Sequence, residues 1–151
     1  MIEEGKPAPE LELADHTGRT VRLSDFRGSP VVIYFYPKDD TPGCTRQACE
    51  LRDAFSEFRE RGAVILGVSP DDEESHARFR DKFSLPFPLL ADPDKSAALA
   101  YDVWREKIVD GATTMGILRS TFVIDADGTV TRAMYGVKPD GHADAVLEAL
   151  P

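Results

Sequence analysis

The chain is predicted to be an α/β protein: a central mixed β-sheet flanked by helices, with an extra β-hairpin at the N-terminus. Three observations predict it. The unbroken apolar run Val31 to Tyr36 reads as a strand buried on both faces. A helical pattern and a second apolar run, Ala63 to Val68, follow it, in the order strand–helix–strand. Toward the C-terminus two short strand-like runs and a helix give strand–strand–helix, which implies a mixed sheet with helices on its faces.

The elements read as follows. Leu11 to Leu23 is a hairpin: Leu11 and Leu13 alternate, Asp15-His16-Thr17-Gly18 turns, and Val21 and Leu23 alternate back. Ser24 to Gly28 is a short turn or helical stub, and Val31 to Tyr36 is the first central strand. From Thr45 to Arg61 the apolar residues Ala48, Leu51, Phe55 and Phe58 recur at three- and four-residue steps, and Gly62 stops the helix. Ala63 to Val68 is the second buried strand, Asp72 to Phe83 a helix with Ala77, Phe79 and Phe83 as its apolar positions, Leu89-Leu90 a short strand, and Lys95 to Tyr101 an Ala-rich helix. Thr121 to Ile124 and Thr129 to Tyr135 pair across the turn Asp125-Ala126-Asp127-Gly128, and His142 to Leu150 closes the chain as a helix. This is the element order of the thioredoxin fold, with the N-terminal hairpin and the middle helices as additions.

The 151 residues suit one domain, 1–151, with a core large enough to need no staples. The composition, 42% hydrophobic and 30% charged, is that of a soluble globular protein. A formal net charge of -9 argues against a nucleic-acid binder and against docking on an anionic membrane. The N-terminus has no basic and apolar segments of a signal peptide, and no run approaches a membrane span, so the expected compartment is the cytoplasm. There thiols stay reduced, which favours a catalytic over a structural role for the two cysteines.

Those cysteines, Cys44 and Cys49, lie in Pro37-Lys38-Asp39-Asp40-Thr41-Pro42-Gly43-Cys44-Thr45-Arg46-Gln47-Ala48-Cys49. Cys44 falls where a strand ends and a helix begins, where unpaired backbone N–H groups favour a thiolate, the reactive form. Five residues of unbroken helix would set the two cysteines about 140° apart around the axis and about 8.7 Å apart between Cα atoms. A disulfide needs roughly 7 Å or less, so pairing requires the first turns to unwind. Cys49 alone is compatible with a small buried hydrophobe. Cys44 is not, because Thr-Pro-Gly before it makes a tight backbone approach rather than a packing surface. A zinc site lacks further ligands: His16, His76 and His142 are scattered and read as ordinary surface residues.

At these residues the chain resembles a known family. Pro37-x-x-x-Thr41-x-x-Cys44 resembles the active-site signature of peroxiredoxins, and FYPKDDTPGCTRQACELRD is similar to the bacterioferritin comigratory protein, or Q-type, subgroup. In that subgroup the resolving cysteine lies five residues after the peroxidatic one, as Cys49 does here. MGILRSTFVIDADG is similar to the subgroup's second signature and puts Arg119 at the family's active-site arginine. The likeness runs from about Gly5 to the last helix. The segment Arg105 to Thr114 departs from it, lacking an aromatic residue near Gly111. Thioredoxins themselves carry Cys-x-x-Cys and a cis-proline, and Ser120 stands where that proline would be.

The resemblance implies a thiol peroxidase. Cys44 would attack a hydroperoxide and become a sulfenic acid. Thr41 would hydrogen-bond peroxide and thiolate, Pro37 would shield the pocket, and Arg119 would stabilise thiolate and leaving oxygen. Read without the family, Pro37 is a strand terminator, Thr41 an N-cap and Arg119 a surface charge. Asp39 and Asp40 are expected to point outward. Cys49 would form an intramolecular disulfide with Cys44, and a dithiol such as thioredoxin would reduce it. No metal, flavin or haem is required, and the chain is expected to act as a monomer or weak dimer. Two rivals fit less well. A thiol–disulfide oxidoreductase without peroxidase activity would carry Cys-x-x-Cys and the proline. A copper chaperone on this fold would carry Cys-x-x-x-Cys and a distant histidine.

Overall fold

A computed structural model describes every residue, Met1–Pro151. The chain runs β1 (Glu12–Asp15), β2 (Thr20–Arg22), a 3-10 turn (Leu23–Phe26), β3 (Val31–Phe35), α1 (Pro42–Asp53), α2 (Phe55–Glu60), β4 (Val64–Ser69), α3 (Glu73–Phe83), β5 (Leu89–Ala91), α4 (Ser96–Ala100), β6 (Trp104–Val109), β7 (Ala112–Ile117), β8 (Ser120–Ile124), β9 (Val130–Tyr135) and α5 (His142–Ala149). Seven strands form one mixed sheet in the order β2-β1-β5-β4-β3-β8-β9. β3, β4 and β5 run parallel, β8 and β9 antiparallel, and the N-terminal hairpin joins the sheet through β1 against β5. This is the expected α/β, thioredoxin-like architecture with its hairpin extension.

The apolar run that begins at Val31 is buried throughout because it has a core on each side. Val31, Ile33 and Phe35 face one cluster, with Leu66, Val68, Tyr101 and Phe122. Val32, Tyr34 and Tyr36 face the other, with Cys44, Ala48, Leu51, Phe58, Phe79 and Val146. The second face is therefore the one that α1, α2, α3 and α5 cover, and Cys44 belongs to it. Gly67 on β4 makes room there: a Cβ at that position would lie 2.9 Å from the Tyr34 ring and 2.8 Å from Leu89 Cδ2.

Two differences from the sequence reading concern elements. The helix expected over 45–61 is two, because Ala54 departs from helical geometry (φ -95, ψ 3) while the hydrogen bonds on either side continue. The apolar stepping runs through the break, so no Gly or Pro announces it. The stretch between Tyr101 and Thr121, to which the sequence reading assigns no element, holds the hairpin β6–β7, a separate two-stranded sheet. Its turn is Asp110-Gly111, both at positive φ (51 and 79), which is the backbone a tight hairpin turn demands.

Candidate active site

The site is built where β3 gives way to α1. The Tyr36 N–H still donates to Val68 O at 3.1 Å, but Pro37, half-buried, has no N–H and the ladder ends. Asp40 then turns the chain in the left-handed region (φ 59). Pro42 opens α1 at its first position, where a missing N–H costs nothing. Cys44 is the third residue of α1 and 2% exposed, at the end of the helix where unpaired N–H groups favour an anion.

Arg119 reaches it from the neighbouring strand. β8 pairs antiparallel with β3, and the register Phe35↔Ser120 puts Arg119 beside the exit of β3. Its Nη2 donates to Cys44 Sγ at 3.4 Å and its Nη1 to Gln47 Oε1 at 2.5 Å. Gly43 permits this approach: a Cβ there would stand 3.3 Å from Arg119 Nη2 and 3.3 Å from Pro139 Cγ. Cys44 and Arg119, 75 residues apart in sequence, are thus brought into contact.

The other expected site residues are placed as follows. Thr41 occupies the N-cap position, but its side chain does not cap the helix; its hydroxyl donates to Lys38 O at 2.9 Å and so braces the loop. Cys49 lies on the same uninterrupted helix, partly exposed, and both cysteines are free thiols. Asp40 is exposed and pairs with Lys82 at 2.7 Å. Asp39, expected outward, is 7% exposed and turned into the protein, because Tyr36, Ser75 and His76 supply it with hydrogen-bond partners. The histidines also depart from expectation. His76 and His142 are buried, each tied to a polar partner, and His16 is half-buried.

Four residues near the thiol were not read from the sequence as part of the site. Gln47 is fully buried one turn after Cys44, orients Arg119 through Oε1, and has no protein partner for Nε2. Its signal was a polar residue directly preceding Ala48 in an otherwise apolar stripe. Lys107 on β6 lies within electrostatic reach: partial burial and then the Arg119 guanidinium hold its ammonium below the ordinary lysine range, while Cys44 acts the other way. Its stem packs across Gly116, where a Cβ would stand 3.1 Å from Lys107 Cδ. His142, at the start of α5, is pushed down to about 4 by burial and then by Arg119, so it is neutral near pH 7 beside Thr121 Oγ1 at 2.8 Å. Tyr34, beneath the thiol, is held well above the ordinary tyrosine range by burial, with Asp39 and Cys44 adding to the effect.

The arrangement presents one sulfur to a helix N-terminus and a guanidinium, on a face closed by aromatic and aliphatic side chains. That environment complements an anionic sulfur and an oxygen acquiring charge, the requirements of a thiolate nucleophile whose leaving group is an oxyanion. A cysteine so placed on a thioredoxin-like fold defines a thiol-based redox enzyme.

Comparison with known proteins narrows the class. Residues 5–133 match the AhpC/TSA family. Over 149 residues the chain is 49% identical to Peroxiredoxin Bcp of Bacillus subtilis, covering 99% of this chain and 95% of that one. It is 44% identical to Peroxiredoxin Bcp of Escherichia coli, covering 99% and 96%. The solved structure of the bacterioferritin comigratory protein of Xanthomonas campestris superposes with a TM-score of 0.88 at 44% identity, over 92% of this chain and 88% of that one. The chain belongs to the AhpC/TSA family and is a peroxiredoxin of the Bcp, or Q, kind, a thiol-dependent peroxidase.

Proposed function

We propose that Cys44 is the peroxidatic thiol and Cys49 the thiol that resolves it, in a single domain spanning 1–151. The observation that carries this is the Arg119 Nη2–Cys44 Sγ contact of 3.4 Å at the N-terminus of α1. The Cys44 thiolate attacks the distal oxygen of a hydroperoxide. An S–O bond forms, the O–O bond breaks, and two electrons pass from sulfur to the peroxide. The leaving oxygen takes a proton and departs as water or alcohol, and Cys44 is left as a sulfenic acid. Arg119 and the backbone N–H groups of the first turn meet the charge that moves onto that oxygen, while Gln47 keeps Arg119 in place. Pro37 closes the loop side against water, and Thr41 offers its hydroxyl oxygen to the peroxide while donating to Lys38. The related Xanthomonas protein is described as having alkyl peroxide reduction activity, and we take hydrogen peroxide and alkyl hydroperoxides as the substrate class.

The Cys49 thiolate then attacks Cys44 sulfur, expelling the sulfenic oxygen as water once protonated. Both cysteines lie on one unbroken helix, where five residues separate their Cα atoms by about 8.7 Å, beyond the roughly 7 Å a disulfide spans. The first turns of α1 must therefore open. An external dithiol, most simply thioredoxin, restores both thiols by exchange.

The test is the mass of the reduced protein after one equivalent of hydroperoxide. The wild type should lose two hydrogens and yield a Cys44–Cys49 cross-linked peptide. Cys49→Ser should gain oxygen at Cys44, and Cys44→Ser should not react and should lose all turnover. Full peroxidase activity in Cys44→Ser would overturn the assignment.

A further inference from the structure

We propose that Asp39 and His76 are positioning residues for the peroxide reaction: they hold the Pro37–Thr41 loop in the arrangement in which Cys44 reacts and oppose the unwinding by which Cys49 reaches it. The inference rests on the roles of Cys44 and Cys49 proposed above.

The Asp39 side chain is 4% exposed and that of His76 0%. Asp39 Oδ1 accepts from the Tyr36 hydroxyl at 2.6 Å; Oδ2 accepts from the Ser75 hydroxyl at 2.8 Å and lies 2.7 Å from His76 Nδ1. His76 Nε2 lies 2.9 Å from Leu90 O, and a carbonyl only accepts, so Nε2 carries a hydrogen. In a neutral ring Nδ1 would then be an acceptor facing a carboxylate oxygen. Two acceptors do not sit 2.7 Å apart without a proton between them, so the pair shares one more. Whichever atom holds it, the pair is neutral overall and every polar atom has a partner. The Asp39 backbone N–H is also engaged, with Asp71 Oδ2 at 2.8 Å, which the Ser69 hydroxyl holds at 2.6 Å. Asp39, Asp71 and His76 bring possible ligand atoms within 4.8 Å of one another, but each is already turned to a protein partner, so the cluster is a tether.

The loop needs one. Asp40 turns the chain at φ 59, in the left-handed region that Asp adopts more readily than most residues but that still costs free energy relative to extended or helical backbone. Its own contact to Lys82 is exposed (46% and 59%) and contributes little. Downstream, Thr41 O receives the Thr45 N–H at 2.8 Å, so the first turn of α1 inherits whatever order the loop has. Removing one partner of a buried pair leaves the other uncompensated. A loop freed in this way misplaces the thiol relative to its donors, and small misplacements slow a reaction strongly. It also raises the population of the opened segment.

Two rates measured by stopped flow on the reduced protein read this directly: oxidation of Cys44 by hydroperoxide, and the disulfide formation that follows. His76→Phe and Asp39→Ala should slow the first at least about tenfold and speed the second several-fold, an opposite movement that general loss of stability does not produce. Asp39→Asn should keep both rates near wild type, because its Oδ1 accepts from Tyr36 and the two hydrogens of its Nδ2 serve neutral His76 Nδ1 and the Ser75 hydroxyl oxygen, which turns from donor to acceptor. If His76→Phe does not fold, Asp39→Ala and Asp39→Asn give the same comparison. An unchanged ratio of the two rates in the folded variants, or Asp39→Asn behaving like Asp39→Ala, overturns the inference alone. A wild type that is not oxidised at all overturns the role of Cys44, and the inference with it.

Discussion

The two halves of α1 are held in different ways. The first part, from Pro42 to Glu50, buries only small or polar side chains, Cys44, Gln47 and Ala48, and is tied by polar contacts: Arg119 to Cys44 and to Gln47, and Arg46 to Asp140 at 2.9 Å, the last between side chains 56% and 74% exposed. From Leu51 onward the helix is held by large apolar side chains, Leu51 at 0% exposure and Phe58 at 0% just beyond in α2. The exposed Arg46–Asp140 pair contributes little, and a net hydrogen bond contributes roughly 0.5–1.5 kcal/mol, whereas burying a leucine contributes roughly 1.5–3 kcal/mol. One helix thus joins a more weakly held segment to a firmly held one. The chemistry proposed for Cys44 and Cys49 needs both, one to move and one to keep the rest of the fold in place.

Arg119→Met strips the first half of its shared contact and removes a donor from the reacting site. It should slow oxidation of Cys44 by about 100- to 1,000-fold and lower stability by about 1–3 kcal/mol, because the buried Gln47 Oε1 loses its partner. An unchanged rate in rapid-mixing experiments would make Arg119 a bystander. Leu51→Ala acts on the second half. It should destabilise the protein by about 2–5 kcal/mol in denaturant unfolding, with the rate of Cys44 oxidation in the remaining folded protein little altered. If Leu51→Ala changed the rate as much as Arg119→Met does, the two halves would not be separable.

Acid tests the polar side more gently. His142, near Arg119, is held at about 4 by burial and then by that guanidinium, against an unfolded value of 6.5. Its folded value is the lower one, so the unfolded chain binds the proton first as pH falls. The stability is fully present above about 6.5 and is lost progressively down to about 4, by at most on the order of 3 kcal/mol. Asp92, raised by burial, works in the opposite sense in acid, so the quantity to follow is the difference between wild type and His142→Gln. That difference should shrink steadily between pH 6.5 and 4, and a pH-independent difference would contradict the buried neutral state.

Much of this was legible in the sequence because it is local. β3 and β4 announce themselves by runs that two cores bury. Cys44 announces itself by the strand–Thr-Pro-Gly–helix junction. Arg119 was reached only through family likeness, since nothing local shows that a residue 75 positions away touches the thiol. Asp39 and His76 were misread for the same reason: each looks like a surface residue until its partner, 37 residues distant, is known. The hairpin β6–β7 was missed because Ile108, Val109 and Met115 are 79%, 53% and 44% exposed, so no in–out alternation marks its strands. Only Asp110-Gly111 signalled it, and that signal also marked the route by which Lys107 comes near the site.

The most direct measurement follows amide hydrogen exchange along α1 before and after one equivalent of hydroperoxide. In the reduced protein Cys44 to Glu50 should be protected. After oxidation, protection should be lost there and kept beyond Phe55, together with a Cys44–Cys49 disulfide in the peptide map. A first turn that stays fully protected after oxidation, or oxidised protein without that disulfide, would mean that Cys49 is not the resolving thiol and that the two halves of α1 do not part.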